Sequence, residues 1–471
     1  MARSLRKTPP GTSRSPAAAA PAASPAPVAA WPEIPWRLLP ALPERVQWVI
    51  LFALGFLLYA STIPNRYAVD DLIAISENDY TKKGFGGIAL HLISDSFEGY
   101  FGQKKDLLSG GRYRPLSLVT FAIEWGLWGE KPQRSHALNA LLYGLLGVVV
   151  LVFLRRTVLR GRGEVAFVAA LLFVLHPIHT EAVANIKGRD ELLALLLLLP
   201  AIGYYVRQAQ GQGSRNLLWG GLCLFGSLLA KENALMVVAL LPLTIAACTG
   251  LTVPRIVRAT VPALLIVGLY VAMRFALTGA PVGQGSTDVM NNPYIYATGG
   301  EALATKILVL GQYVAWLVWP WPLSWDYSYP QVAYVGFGDV RVVLVLLLYG
   351  GLGFAAVRHW RTAWGWSAGW YLASLVLVSN FIVNVGAYQG ERFLFQPSLG
   401  FAVAVAAGAV ALAAWKPVLR WGVAAALVGV AGLATAAIQV RNGQWHSNET
   451  LYLHDVNVSP RSAKANLGAG E

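Results

Sequence analysis

The chain has 471 residues, of which 56% are hydrophobic and 13% charged. Soluble domains carry about a quarter charged residues, so an ordinary water-soluble globule is excluded. The formal net charge of +13 would suit nucleic acid, but the Arg residues lie in short loops between apolar runs, where membrane topology accounts for them.

Residues 1–45 are rich in Ala, Pro and Ser with early Arg and Lys, the composition of a disordered tail on the cytoplasmic side. The first apolar run, Gln47 to Ile63, begins too far into the chain for an ordinary signal peptide, and reads as an uncleaved first span. A long mixed segment, residues 64–135, follows as a large external loop. Ten further apolar runs lie within residues 136–440: His136–Leu154, Glu164–Leu175, Leu192–Val206, Asn216–Ala230, Ala234–Thr249, Ala259–Leu277, Val340–Val357, Trp364–Val378, Pro397–Trp415 and Trp421–Val440. With the first they predict about eleven transmembrane helices, each near or somewhat below the usual spanning length.

Loops carrying Arg155, Arg156, Arg160 and Arg162, then Arg207 and Arg215, Arg255 and Arg258, Arg358 and Arg361, and Lys416 and Arg420 alternate with loops poorer in positive charge. The positive-inside rule puts these on the cytoplasmic side. The turns around His176–Glu191 and Lys231–Glu232, the region Gly279–Asp339, the loop Ser379–Gln396 and the C-terminus are then external. This parity requires the apolar stretch Thr305–Trp319 to be re-entrant or surface-lying, bounded by Pro320 and Pro322. The two cysteines, Cys223 and Cys248, both fall in apolar runs and form neither a disulfide framework nor a thiol metal site. Beyond residue 441 the chain turns polar and amphipathic, and the segment 442–471 ends like the opening of a tetratricopeptide helix.

Four external constellations carry possible chemistry. Asp70 and Asp71 are adjacent carboxylates just after the first span; mutual repulsion raises one pKa and prepares a proton acceptor. On spacing alone a helix cap or a solvated loop fits them better. In LHPIHTEAVANIKGRDELL, His176, His179, Glu181, Lys187, Arg189, Asp190 and Glu191 crowd one short turn, and ionisable clusters against a bilayer are costly unless used. A divalent ion on His176, His179 and Glu181 is conceivable, but the spacing matches no specific zinc motif and metal is not favoured. Lys231 and Glu232 form a third site, which on its own reads as a surface ion pair. Arg392, between aromatic residues in ERFLFQPSLGF, suits a lipid phosphate as well as it suits interfacial snorkelling. Together these charges at one face fit transfer of a group from a phosphate-linked lipid donor. A transporter or flippase of lipid-linked sugars would instead place ionisable residues at mid-helix depth.

The order VDD, YRPLSLVTF, HALNALLY, HPIHTEAVANIKGRDELLA, AKENA, WPWPLSWDYSYP, ERFLFQPSLGF and WHSNETLY resembles the transmembrane-and-tetratricopeptide-repeat family of O-mannosyltransferases, within the GT-C superfamily. The resemblance runs from about residue 65 to residue 468. It implies an all-α polytopic GT-C fold with a catalytic acid in its first external loop. It further implies a polyprenyl-phosphate sugar donor, mannose as the usual sugar, and inverting, metal-independent transfer to a protein hydroxyl, with no bound cofactor. On that reading Asp70 is the favoured general base, with Asp71 in support or in exchange. Arg392, Arg189 and Lys231 are candidates for the donor phosphate; His176, His179, Glu181 and Arg114 shape the site. The chain departs from the family in ending before a repeat array, and in Lys187, where a small or apolar residue is expected. Its partners on this reading are the lipid-linked sugar, a protein acceptor and the bilayer, without nucleic acid. The Ala-, Arg- and Gly-heavy composition points to a bacterial cell membrane rather than the endoplasmic reticulum.

Overall fold

A computed structural model describes residues 42–103, 112–279 and 288–470. The expected tail, residues 1–45, falls almost wholly outside them. The described residues form helices joined by short turns, with no strand among them. An all-α fold follows from the sequence, because in hydrocarbon every backbone N–H and C=O must be satisfied within its own segment.

Helix α1 (Glu44–Ala60) leads into the first loop, which holds short helical turns and α2 (Pro115–Trp128). The rest of the membrane-like body is α3 (Pro132–Arg156), α4 (Gly163–Val174), α5 (Arg189–Ala209), α6 (Arg215–Ala230), α7 (Val237–Cys248), α8 (Val253–Thr278), α9 (Gly299–Val318), α10 (Val340–Arg358), α11 (Ala363–Leu375), α12 (Ser398–Trp415) and α13 (Arg420–Gln444). A helix pair closes the chain: α14 (Asn448–Val458) and α15 (Ala463–Gly470).

Among the described residues, seven helices are long and apolar enough to cross a membrane, or eight if the bent pair of α4 with Pro177–Ala184 is one span. The expected number was about eleven. The difference lies in α1, α6, α7 and α11, which form where spans are expected but are only 12 to 17 residues long. In the other direction, α9 meets the length test although the stretch Thr305–Trp319 was expected not to cross. Its two flanks nevertheless meet the same end of the molecule. Before it, Tyr294 packs against Tyr388 and Asn384 donates to the Asn291 carbonyl; after it, the Trp325 N–H donates to Asp455.

The Arg-rich turns gather at the opposite end. There Arg155 donates to Gln47 at the start of α1 and to the Gly163 carbonyl, Arg160 to Gln210, and Arg361 to the Leu251 carbonyl. Close approach inside the bundle relies on small residues. A Cβ on Gly144 of α3 would lie 2.6 Å from the Phe52 carbonyl of α1, so the two backbones meet at van der Waals range only because the side chain is absent.

Candidate functional site

The first loop ends in a short pairing that fixes two arginines. The Ser96 N–H donates to the Arg112 carbonyl at 2.8 Å, the Arg112 N–H to Asp95 at 2.7 Å, and the Arg114 N–H to Ser96 Oγ at 2.9 Å. Pro115 at the first turn of α2 keeps Arg114 out of the helix, with an extended φ of −134°. The guanidinium groups of Arg112 and Arg114 are thereby carried to the N-terminal ends of α5 and of the turn after α6.

Arg114 is the hub. Its Nη1 donates to Asp190 at 2.7 Å and its Nε to Glu232 at 2.7 Å. Burial disfavours its charge, but Glu232 and Asp190 outweigh burial and hold the guanidinium well above its ordinary range. Asp190, near the start of α5, also accepts from Lys231 at 3.2 Å and lies 3.3 Å from Lys187 Nζ. Lys231 reaches Glu191 at 2.7 Å. Lys231 and Glu232, adjacent in sequence, thus face different partners and do not form the isolated pair that the sequence suggests.

Asp70 and Asp71 are separated in role by geometry. Asp71 is fully buried, and its two carboxylate oxygens accept the Ala68 N–H at 3.1 Å and the Lys187 N–H at 2.7 Å. It ties the first loop to the turn before α5. Burial pushes its carboxyl up to about 7 against those bonds. The Asp70 side chain keeps 24% exposure, with Lys187 Nζ at 3.8 Å. Burial pushes it up as well, but Lys187, Arg392 and Arg112 more than offset this and hold it below the usual carboxylate range. Two adjacent acids therefore differ: one ionised and open, one walled in. Val69, just before them, has φ of +51°, a left-handed conformation that a β-branched residue adopts only under constraint.

Two further cations face Asp70. Arg392 donates to Glu181 through Nη1 and through its own backbone N–H at 2.8 Å, and its side chain is 30% exposed. Glu181, buried, aims it. Arg112 stacks on Phe97 with 4.8 Å to the ring centroid, and its guanidinium has no hydrogen-bond or ion-pair partner among the described residues. Burial and the neighbouring Arg114 bring it down to about 10, still cationic at neutral pH. A small cleft is lined by Arg112, Arg114, Lys187, Asp190, Ser96 and Phe97. Arg112 was absent from the sequence expectations; its signal was its spacing two residues from Arg114 in RYRPL, which only an extended backbone converts into a shared direction.

Several expected site residues are committed elsewhere. Arg189 is fully buried, with Nε on Asn139, Nη1 on Thr120 and Glu124, Nη2 on Glu124 and the Ser135 carbonyl, and Phe121 beneath its plane. It has no donor left for a phosphate, and it locks α2 and α3 to the start of α5. Lys231 is likewise spent on Asp190 and Glu191 below Arg114. His179 is bonded through Nδ1 to Tyr143 and through Nε2 to Ser398, each at 2.8 Å. The nitrogens of His176 meet the Leu317 carbonyl and the Ile178 N–H. With Glu181 held by Arg392, these three residues do not converge on a shared ion; the histidines pack the bend after α4. Removing the Arg189 anchor leaves Glu124 buried and unpaired, which costs about 3–5 kcal/mol. Arg189→Met is expected to lower the midpoint of thermal unfolding in detergent sharply. An unchanged unfolding midpoint would overturn the anchoring role and free Arg189 for a ligand.

Charges thus gather at one end of the helix bundle, around a half-open carboxylate. Protein O-mannosyl-transferase TMTC4 of Mus musculus is 28% identical over 413 residues, 76% of this chain and 55% of the relative. Protein O-mannosyl-transferase TMTC2 of Homo sapiens is 26% identical over 508 residues, 88% of this chain and 59% of the relative. A shorter stretch of 158 residues, 34% of this chain, is 37% identical to 18% of protein O-mannosyl-transferase TMTC1 of Homo sapiens. The chain therefore spans little more than half the length of the first two. No family model matches the sequence, and no solved structure matches it.

Proposed function

Since the chain is a relative of the transmembrane and tetratricopeptide-repeat protein O-mannosyl-transferases, we propose that it transfers a mannosyl group from a polyprenyl-phosphate donor to a protein hydroxyl. The observation that carries this reading is the placing of Asp70: a partly exposed carboxylate with Lys187 Nζ at 3.8 Å, held below the usual carboxylate range by Lys187, Arg392 and Arg112 against its burial. A base must be ionised and reachable, and the leaving phosphate must meet positive charge.

In the proposed step Asp70 takes the proton of a Ser or Thr hydroxyl. The hydroxyl oxygen bonds to the anomeric carbon while the bond from that carbon to the phosphate oxygen breaks. Polyprenyl phosphate leaves with the electron pair, and the anomeric configuration inverts. Arg112 and Arg392 receive the growing phosphate charge. Asp71 holds the loop, and Arg114 with Asp190, Glu232 and Lys231 fixes the floor. On this reading the Arg-rich end is cytoplasmic and the Asp70 end external. Purified protein given radiolabelled polyprenyl-phosphate mannose and a Ser/Thr-rich peptide should label the peptide. Label appearing instead as free donor moved across proteoliposome membranes, with none in peptide, would replace transfer by transport.

A further inference from the structure

The end of α1 and the end of α13 run side by side. Asn65 Nδ2 donates to the Asn442 and Trp445 carbonyls, each at 3.1 Å, and its Oδ1 lies 3.1 Å from His446 Nδ1. The Arg66 N–H donates to the His446 carbonyl at 2.9 Å. One contact of this series falls on the left-handed residue itself: the Val69 N–H donates to Asn448 Oδ1 at 2.7 Å. Asn448 is the first residue of α14, directly after its N-cap Ser447.

The α14–α15 pair that carries Asn448 is braced on the body. Asp455 accepts from Arg441 through both oxygens, at 2.8 and 3.1 Å, and from the Trp325 N–H at 2.6 Å. Ser462 donates to Asp326 at 2.6 Å, and the Lys464 N–H to Ser328 at 3.0 Å. The Lys464 charge also acts on Asp70. The pair is therefore not an appendage.

We infer that Asn448 is a positioning residue for Asp70, so that the C-terminal helix pair sets the geometry of the proton acceptor. A β-branched residue at positive φ relaxes unless its surroundings hold it. Ala68 and Asp71 fix the loop on one side, through the Ala68 N–H bond to the Asp71 carboxylate. Asn448 fixes it on the other, and Asp70 lies between these ties. Release of the Val69 N–H lets φ return to the ordinary region and swings the Asp70 carboxylate away from the acceptor. The inference rests on Asp70 being the base.

The test uses the full chain with polyprenyl-phosphate mannose and a Ser/Thr-rich peptide. Asn448→Ala should lower kcat tenfold or more with the donor KM unchanged, and should speed amide hydrogen exchange in residues 66–71. Asn448→Asp keeps an acceptor oxygen and should recover most of the turnover and the protection. Adding Val69→Gly to Asn448→Ala should restore part of kcat, because glycine adopts the left-handed conformation without strain; a purely structural Asn448 would give no such rescue. Wild-type kcat and exchange in Asn448→Ala, alongside an inactive Asp70→Asn, overturns the positioning role and leaves the base in place. Full activity in Asp70→Asn removes the base reading and this inference with it.

Discussion

Asp70→Asn is expected to lose turnover by about 10³-fold or more while binding the donor lipid normally, since general-base catalysis contributes roughly 10²–10⁴ and the amide cannot take a proton. Asn keeps the size of the side chain, so folding and the Lys187 neighbourhood are preserved. Asp71→Asn should differ in kind. Its carboxylate accepts two backbone N–H groups in a buried setting; an amide offers one oxygen and turns its NH2 toward the other donor. That variant should be less stable and only partly active. The pH profile separates the two acids without mutation. Asp70 lies below the usual carboxylate range, so kcat/KM should stay flat on the acid side down to about pH 4. Activity falling off around pH 7 would instead match Asp71, whose carboxyl is pushed up to about 7. Such a profile, with Asp71→Asn dead and Asp70→Asn active, would transfer the base to Asp71.

The second large effect is expected at Arg112. Its guanidinium is half-buried over Phe97 without a hydrogen-bonding counter-ion among the described residues. Placing an uncompensated cation there is costly unless an anion completes it. With a charge-assisted bond contributing about 1.5–3 kcal/mol, Arg112→Ala should reduce kcat/KM by about 10- to 150-fold. The loss should appear in donor KM and in kcat together, because negative charge on the phosphate grows toward the transition state. Arg112→Lys should recover only part, as the planar fork is lost. Thermal stability should hold or rise in Arg112→Ala, the opposite of Arg189→Met. Normal donor kinetics in Arg112→Ala would leave Arg392 as the phosphate ligand.

The bundle and its charged end were legible in the sequence because hydrocarbon permits few solutions and loop charge marks one face. Asp70 and Arg114 share the first loop, and Arg392 reaches them from the separate loop Ser379–Gln396, where its charge acts on Asp70. What the sequence hid was commitment. Arg189 and Arg112 are the same residue type in equally suggestive surroundings, yet one spends its donors on Glu124 and its neighbours while the other has no such bond among the described residues. The partners of Arg189 on α2 and α3 lie some fifty to seventy positions upstream, so no local pattern announces them. The same holds for His179, whose Ser398 partner is 219 residues away. Helix extent was legible too: the run Asn216–Ala230 becomes α6 and Trp364–Val378 becomes α11 with ends shifted by at most three residues. The difference lies in the count of spans, because helices this short fall below the length that crosses a bilayer.

The bond between Val69 and Asn448 joins positions 379 apart in the chain. During synthesis, Asp70 enters the membrane system hundreds of residues before its brace is made. The first loop, α5 and the α6 turn can assemble their ion pairs while translation continues, yet the residue before Asp70 stays free to relax. On the proposed reading, a chain that has not yet made Asn448 holds donor-binding charge without a correctly aimed base. On that reading competence waits until Asn448 has been made and docked, so the order of synthesis decides when the base can act.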